Sequence, residues 1–437
     1  MTPPQEYPGR PTWVRWQIVL ILMGFTGLNH FHRQSLPAVV EHVMEECHFS
    51  ETDMGWIYFS FLLGYTVFMI PGGWLSDQRG GRFALVVSGF GTAGLVALTG
   101  LCGRGTPLAT GFGVFVVVRC LMGIFTAPLF PAAGRMINSW IPFRSRAWAN
   151  GLVLGATTVG VALAPVEFGK LSDKVGWREA CGVMGAVTAL LTTFWLCYGR
   201  NRPDDHPFVN EFERALVPPS GGIPVRRAGG REFLALLKNP SLVFLTMNYA
   251  AVGYYEYTLF YWMKYYFRDV RGYEEEASRG YTAIVTAAMI VAMPLGGILS
   301  DRLVQAWGYR AGRMSVPALG MLASAALLFF ATRAVETTTV VVLFFLAHAA
   351  IGLCEAPTWV AGLELGGKNC GTSAAIVNTG GNLGGMLAQP ITTYVAASYG
   401  WTAGFTVASF VCVLGVLQWF GVRLVRPGGE SNRGGAE

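Results

Sequence analysis

Twelve stretches of roughly twenty apolar residues leave this chain few ways to fold. They lie near 15–38, 53–76, 83–101, 109–137, 146–169, 177–199, 241–267, 280–300, 313–332, 337–364, 371–398 and 401–424. At about 1.5 Å of helical rise per residue, each is long enough to cross a hydrocarbon core about 30 Å thick. Lipid offers no partner to a bare N–H or C=O, so a spanning segment must close its backbone hydrogen bonds within itself, as a helix does. Of the 437 residues 52% are hydrophobic and only 13% charged, about half the charge of a soluble chain. The fold class expected is an all-α polytopic membrane protein with twelve transmembrane helices.

The twelve fall into two sets of six. PGGWLSDQRGGR, residues 71–82, ends the second span, and GGILSDR, residues 296–302, ends the eighth, with Asp301 lying 224 positions after Asp77. Ala127-Pro128 returns as Ala356-Pro357, Pro165 as Pro390 and Gly176-Trp177 as Gly400-Trp401, at offsets of 229, 225 and 224. A repeat at this scale outranks any local reading. Between the copies runs a polar stretch with Pro218-Pro219-Ser220-Gly221-Gly222 in its middle. The division expected is an N-terminal six-helix half over 1–199, a cytoplasmic linker over 200–238 and a C-terminal six-helix half over 239–437.

Basic residues set the orientation. With the N-terminus inside, 21 of the 32 Lys and Arg fall on inner loops and tails and 8 on outer loops; Arg33, Arg119 and Lys264 lie within spans. That bias predicts both termini in the cytoplasm and a place in the inner or cell membrane. It also explains the net charge of +6 without any nucleic-acid partner. The opening MTPPQEYPGRPTW reads as polar with no separate cleavable signal, so the first span is expected to act as its own insertion signal. The eight cysteines show no metal-ligand spacing, and Cys47 and Cys102 are read either as a disulfide or as two free thiols.

Two six-helix halves, an inner linker and a doubled GGxLSD loop resemble the major facilitator superfamily over nearly the whole chain. That family's loop pattern, G-x-L-[AS]-D-R-x-G-R-[RK], is kept at Gly73, Leu75, Ser76, Asp77, Gly80 and Arg82, with Gln78 and Gly81 departing from it. The resemblance implies that Asp77 sits at the N-terminal end of span 11, near Gly371-Thr372-Ser373, and Asp301 at the start of span 5, near Ala147. A carboxylate so placed contributes about 0.3–1 kcal/mol. Asp77, Arg82, Asp301 and Arg302 are therefore the gating residues expected; the bland alternative is a charged surface loop.

Finer matches resemble the anion:cation symporter branch, which includes hexuronate, galactonate and sialic-acid carriers. They are GYTVFMIPGGWLSD from residue 64, RCLMGIFTAPLFPAAGRMINSWIPFRSRAWANG from residue 119, and GTSAAIVNTGGNLGGMLAQPI from residue 371. The organophosphate antiporters, a runner-up, share an arginine in span 1 and a CGTS-like start to span 11. Two departures bear on coupling. Where the branch has NYxDR in span 1 this chain has Asn29-His30-Phe31-His32-Arg33, and where span 4 carries a Glu it has Thr126. Both missing acids are proton-coupling candidates in that branch.

An arginine near the bilayer centre costs about 2.5–3.5 kcal/mol on insertion scales, so Arg33 and Arg119 are expected to face a polar cavity. Each guanidinium fork suits a carboxylate or phosphate, which points to an anionic substrate; a buried pair with Glu256 or Glu355 is the alternative. Asn29 shares the face of Arg33 one turn away. In span 11, Asn378, Asn382, Gly385 and Gln389 form one helical stripe, whose amides either line a sugar-binding cavity or bond to neighbouring helices. Tyr254, Tyr257 and Tyr261 in span 7 suit a polar organic ligand or an interfacial belt. Tyr65, Asn150 and Trp359 complete the substrate-binding set. Lys264, near the end of its span, is expected to snorkel.

For proton coupling the candidates are Glu355, His32 and Glu256. Glu355 precedes Ala-Pro in span 10 as the branch's span 4 acid does, and so stands in the equivalent place of the other half. The function expected is secondary active transport of a small organic anion, a sugar acid or other carboxylate, by alternating access and with proton coupling. The alternatives are an organophosphate or anion antiporter and a transport-dead sensor of the same fold. No ATP-binding loop, HExxH, GxSxG or paired-aspartate motif occurs, so an enzyme is not indicated. The partners expected are the organic anion, a proton or counter-ion and the bilayer, with no cofactor, no metal, and a monomeric chain.

Overall fold

The computed structural model describes residues 10–103, 108–142, 145–216, 230–366 and 370–424. Helix α1 (Val14–Ala38) is followed by a short α2 (Val40–Cys47), then α3 (Glu51–Arg79) and α4 (Gly81–Thr99). Helices α5 (Leu108–Thr126) and α6 (Leu129–Trp140) share one span, and α7 (Arg146–Leu163) runs through a π-helical turn into α8 (Gly169–Val175). Helix α9 (Trp177–Tyr198) ends the first half; α10 (Glu211–Leu216) and α11 (Gly230–Leu237) lie in the region read as linker. The second half is α12 (Pro240–Tyr265), α13 (Glu275–Trp307), α14 (Tyr309–Ala331), α15 (Thr337–Gly366), α16 (Cys370–Tyr399) and α17 (Trp401–Gly421). No strand occurs among the described residues. The twelve long helical segments are those the apolar runs predict.

Among the described residues nine helices are apolar and long enough to cross a membrane on composition alone. The three long helices outside that set are α1, α12 and α16, of 25, 26 and 30 residues. Length does not exclude them. They are diluted by polar residues: Asn29 to Arg33 in α1, Glu256 and Lys264 in α12, and Asn378, Asn382 and Gln389 in α16.

Local chemistry sets the helix ends. At the start of α3, Ser50 Oγ accepts from the Asp53 N–H at 3.2 Å while Asp53 Oδ2 accepts from the Ser50 N–H at 2.9 Å, a reciprocal capping box. Gly80 and Gly308, which open the third helix of each half, have φ of 87° and 84°; Gly176 and Gly400, which open the sixth, have 89° and 83°. Only glycine takes that backbone cheaply. The duplication is thus written in backbone conformation as well as in letters. Span 4 is broken: Pro128 and Pro131 supply no N–H, and α5 ends before them, whereas α15 carries its single Pro357 without interruption.

The chain divides into two compact units, Met1–Leu36 with Leu63–Val225, and Pro37–Leu62 with Arg226–Glu437. In the first, Ile18, Leu22, Phe25, Leu85, Met136, Trp140 and Trp195 form a buried core. The start of the linker region folds onto this unit. Trp140 Nε1 donates to the Arg200 carbonyl at 2.9 Å, and the buried His206 ring lies among Trp140, Tyr198 and Phe208. The buried Glu213 carboxylate accepts from the Arg15 N–H at 2.9 Å and from the Thr12 hydroxyl.

The repeated glycine pair has a packing role in both units. A Cβ on Gly72 would lie 2.8 Å from Pro128 N, and one on Gly296 would lie 2.1 Å from Leu353 O. In each half the second helix therefore meets the fourth backbone to backbone. In the second unit α12 and α16 are closer still: Cβ atoms on Gly380 and Gly384 would fall 2.5 Å from Thr246 O and 1.8 Å from Ala250 O. The TGGNLGG run of α16 is first a close-packing surface, as small residues are between membrane helices.

Candidate functional site

The expected binding residues form one set in each unit. In the first, Asn29 and Arg33 lie one turn apart on α1 and are 7% and 6% exposed, and Arg119 on α5 is 1% exposed. Asn29 Nδ2 donates to Thr126 Oγ1 at 3.2 Å, so the threonine at the expected position of an acid is a neutral partner. The Arg119 guanidinium donates to Met122 Sδ at 3.5 Å. With the Thr188 hydroxyl donated to the Met184 carbonyl at 3.1 Å, His32 Nε2 donates to Thr188 Oγ1 at 2.6 Å. His32 also lines a cavity of about 10 Å³ with Asn29, Ser88, Thr92 and Thr188, room for about one water. Tyr65 is buried on α3 and Asn150 half-buried on α7.

In the second unit the Tyr254 hydroxyl meets Thr392 Oγ1 at 3.2 Å, and Tyr257 donates to Asn382 Oδ1 at 3.2 Å. Tyr261 is fully buried, its ring 4.5 Å from that of Tyr58. The amide stripe of α16 divides between the two roles open to it. Gln389 accepts from Trp262 Nε1 at 3.1 Å and donates to the Tyr257 and Gly385 carbonyls, so it fastens α16 to α12. Asn382 is held by Tyr257. Asn378 is half-buried on α16. Trp359 is 39% exposed on α15.

The acids of this unit are placed differently from one another. Glu355 Oε2 accepts from the Tyr249 hydroxyl at 2.8 Å. Glu256 lies seven residues beyond Tyr249 on the same face of α12 and is half-buried. Asp301 accepts from Arg313 at 2.7 Å, and Arg313 also reaches Glu364 at 3.3 Å; Arg302 is exposed. In the first unit Arg82 donates from its N–H to Asn201 Oδ1 at 3.0 Å and from its guanidinium to the Leu196 carbonyl at 2.6 Å. The side chains of Asp77, Ala147 and Gly371 lie outside the described residues. Cys47 and Cys102 are both buried, and neither is in a disulfide.

Two features escape a reading of the sequence. Lys264 does not snorkel: it is 3% exposed, with Nζ 2.7 Å from Glu41 and 2.8 Å from Glu275. Glu275 also receives Arg268 at 2.6 Å and Arg279 at 2.8 Å. The signal was the acid-rich, lysine-free run 41–46 within what reads as a loop, and it becomes α2. Tyr249 is the second, visible only as the residue seven before Glu256.

Known proteins of the same kind align over most of the chain. The Major Facilitator Superfamily profile matches residues 19–374. The chain is 27% identical over 414 residues to a probable galactarate/D-glucarate transporter of Bacillus subtilis, covering 90% of this chain and 88% of that one. It is 26% identical over 380 residues to a probable sulfoacetate transporter of Cupriavidus necator, covering 86% of each. Against the hexuronate transporter of Bacillus subtilis it is 23% identical over 415 residues, 94% of each. Among solved structures, an inward-facing, unoccupied bacterial homologue of the human lysosomal transporter Spinster superposes with a TM-score of 0.78 at 18% identity, covering 93% of this chain and 96% of that one; at that identity the likeness is one of fold. With two six-helix halves, a duplicated GGxLSD loop and a family match over most of its length, this chain is a membrane transporter, not an enzyme, and belongs to the Major Facilitator Superfamily.

Proposed function

We propose that the chain is a secondary carrier of a small organic anion, a sugar acid or related carboxylate, working by alternating access and coupled to protons, with both termini in the cytoplasm. The observation that carries this reading is the pair Arg33 and Arg119, both more than nine-tenths buried in membrane helices with Asn29 beside them. Two guanidiniums held in a low-dielectric setting at a cost of several kcal/mol are matched to a ligand that returns the energy through charged hydrogen bonds. Relatives named for galactarate, glucarate, hexuronate and sulfoacetate support the anion class. Asn378, Trp359, Tyr254 and Tyr257 are the second unit's contribution to binding, with Tyr65 and Asn150 from the first; the buried Tyr261 and the bonded Asn382 hold that set in place. Asp77, Arg82, Asp301 and Arg302 serve gating, and Glu355 with Glu256 carries the proton in preference to His32, whose ring is engaged by Thr188.

The test is uptake by proteoliposomes of a panel of hexuronates, aldarates, aldonates and sugar phosphates, with and without an inward proton gradient. Arg33→Ala and Arg119→Ala should each lower uptake at least tenfold, since a charged hydrogen bond contributes about 1.5–3 kcal/mol. Near-normal uptake in both variants removes the anion reading. Transport that ignores the proton gradient and needs a counter-anion inside replaces symport by antiport.

A further inference from the structure

We infer that residues 37–62, the loop joining the first two spans with its flanking turns, form a strap docked within the second unit, and that a proton held between Asp269 and Glu41 bolts it there. By chain order this segment lies in the first half, yet its contacts group it with 226–437. Two of its carboxylates meet adjacent residues at the end of α12. Glu41 Oε2 lies 2.7 Å from Lys264 Nζ, and Glu51 Oε1 accepts from the Tyr265 hydroxyl at 2.5 Å and from Trp401 Nε1 on α17 at 3.0 Å. On α2, Val40, Val43 and Cys47 share a helical face and are buried along with Glu41. Eight residues make a helix too short to persist by itself in water, so the backbone hydrogen bonds of α2 depend on this docking.

The dock is one donor short. Glu41 is 6% exposed at the side chain, and its Oε1 has no hydrogen-bond partner among the described residues; a buried carboxylate oxygen left bare is costly. The Asp269 carboxyl stands within hydrogen-bond reach of Glu41. Asp269 Oδ1 receives Arg268 at 3.3 Å, which leaves Oδ2 to carry a proton toward Glu41. The surrounding charges are engaged with one another. Glu275, at the start of α13, takes Lys264 at 2.8 Å, Arg268 at 2.6 Å and Arg279 at 2.8 Å. Arg271 turns to the Ala334 carbonyl, and Tyr265 is held by Glu51. On α2, His42 is half-buried beside Glu41, while Glu45 and Glu46 are exposed. With Asp269 ionised, it and Glu41 are like charges in contact. One proton from solvent on Asp269 turns that repulsion into an O–H···O bond, and its loss restores the repulsion. Burial, and then Glu41, push the Asp269 carboxyl up to about 7 against the pull of Arg268 and Lys264. The bolt is therefore set below neutral pH and drawn above it.

Hydrogen exchange of the full chain in lipid nanodiscs, corrected for the intrinsic pH dependence of exchange, reads the protection of the α2 amides; protons and deuterons are the only probes. Between pH 6 and pH 8 that protection should fall about tenfold, the ratio for an acid that titrates near 7 when docked and near 4 when free. Protection of α16 should not change. Asp269→Asn offers an N–H donor at every pH, so its α2 should keep the acid-side protection throughout. Glu41→Gln removes the like charge, and the slope should vanish there too. His42→Gln should retain the wild-type slope, since an imidazole also titrates in this range. Protection of α2 in wild type that ignores pH overturns the bolt. So does a slope that persists in Asp269→Asn, one that vanishes in His42→Gln, or a fall that α16 shares. None of these outcomes depends on which anion is carried, or on whether one is.

Discussion

Lys264→Met is the sharpest stability test the second unit offers. Lys264 and Glu41 are 3% and 6% exposed at the side chain, with Nζ 2.7 Å from Oε2. Removing the ammonium leaves Glu41 with no cation, and its Oε1 has no hydrogen-bond partner among the described residues. Glu275 keeps Arg268 and Arg279, so the penalty falls on Glu41. Breaking one partner of a buried ion pair costs about 3–5 kcal/mol. Glu41→Gln should cost less, about 1–2 kcal/mol, since Lys264 still has Glu275 at 2.8 Å. The double variant should be more stable than the sum of the two losses implies, by about 2 kcal/mol, because no bare carboxylate remains. The assay is reversible unfolding in mixed micelles for wild type, both single variants and the double. Losses that add within about 0.5 kcal/mol would mean that the pair is not coupled, and the reasoning fails.

A Cβ on Gly384 would sit 1.8 Å from the Ala250 carbonyl oxygen, so Gly384→Ala should cost about 3 kcal/mol or prevent folding, while Gly155→Ala, with nothing within 4 Å, should be neutral or gain about 1 kcal/mol; equal expression and melting of the two would refute the packing argument. Asp269, just past α12, is pushed up to about 7 by burial and then by Glu41. Its folded form thus holds the proton more tightly than the unfolded one, so its stabilising contribution is full below about pH 4 and is lost as pH rises through 7. Asp269→Asn should flatten the fall in stability between pH 5 and 8, with a gain at pH 8 of at most about 1 kcal/mol after solvent screening; identical pH curves for wild type and variant would count against it.

The helices and their pairing into halves were legible because the physics is local. A run such as 83–101 or 401–424 can do little else in a bilayer, and glycines at 80, 176, 308 and 400 mark their turns by conformation alone. The roles of polar residues depended on partners far along the chain. Lys264 looked like an end-of-span lysine because its main partner, Glu41, is 223 residues away on an eight-residue helix too short to show a period. The spacing of Asn378, Asn382 and Gln389 gave their common face but not what faced them; Tyr257 and Trp262 had to be placed first. The doubled GG looked like part of a charged loop motif, yet its backbone contacts at Pro128 and Leu353 lie inside the helix bundle. Arg33 and Arg119 were legible for the opposite reason: a guanidinium in an apolar run is an anomaly that calls for an explanation without any partner being known.

The knot formed by Glu213 has a practical bearing on anyone who would express the two halves as separate polypeptides. Glu213 ties the start of α1 to α10 through Thr12 and Arg15, and Trp140 closes on Arg200 behind it. A cut at residue 199, where hydropathy alone would place it, strips the first polypeptide of α10 and strands Thr12, Arg15 and the Trp140 indole without their partners. A cut just after Leu216 keeps all of these on one chain. For the contacts of Glu213 and Trp140 the better cut therefore falls some seventeen residues after the one hydropathy suggests.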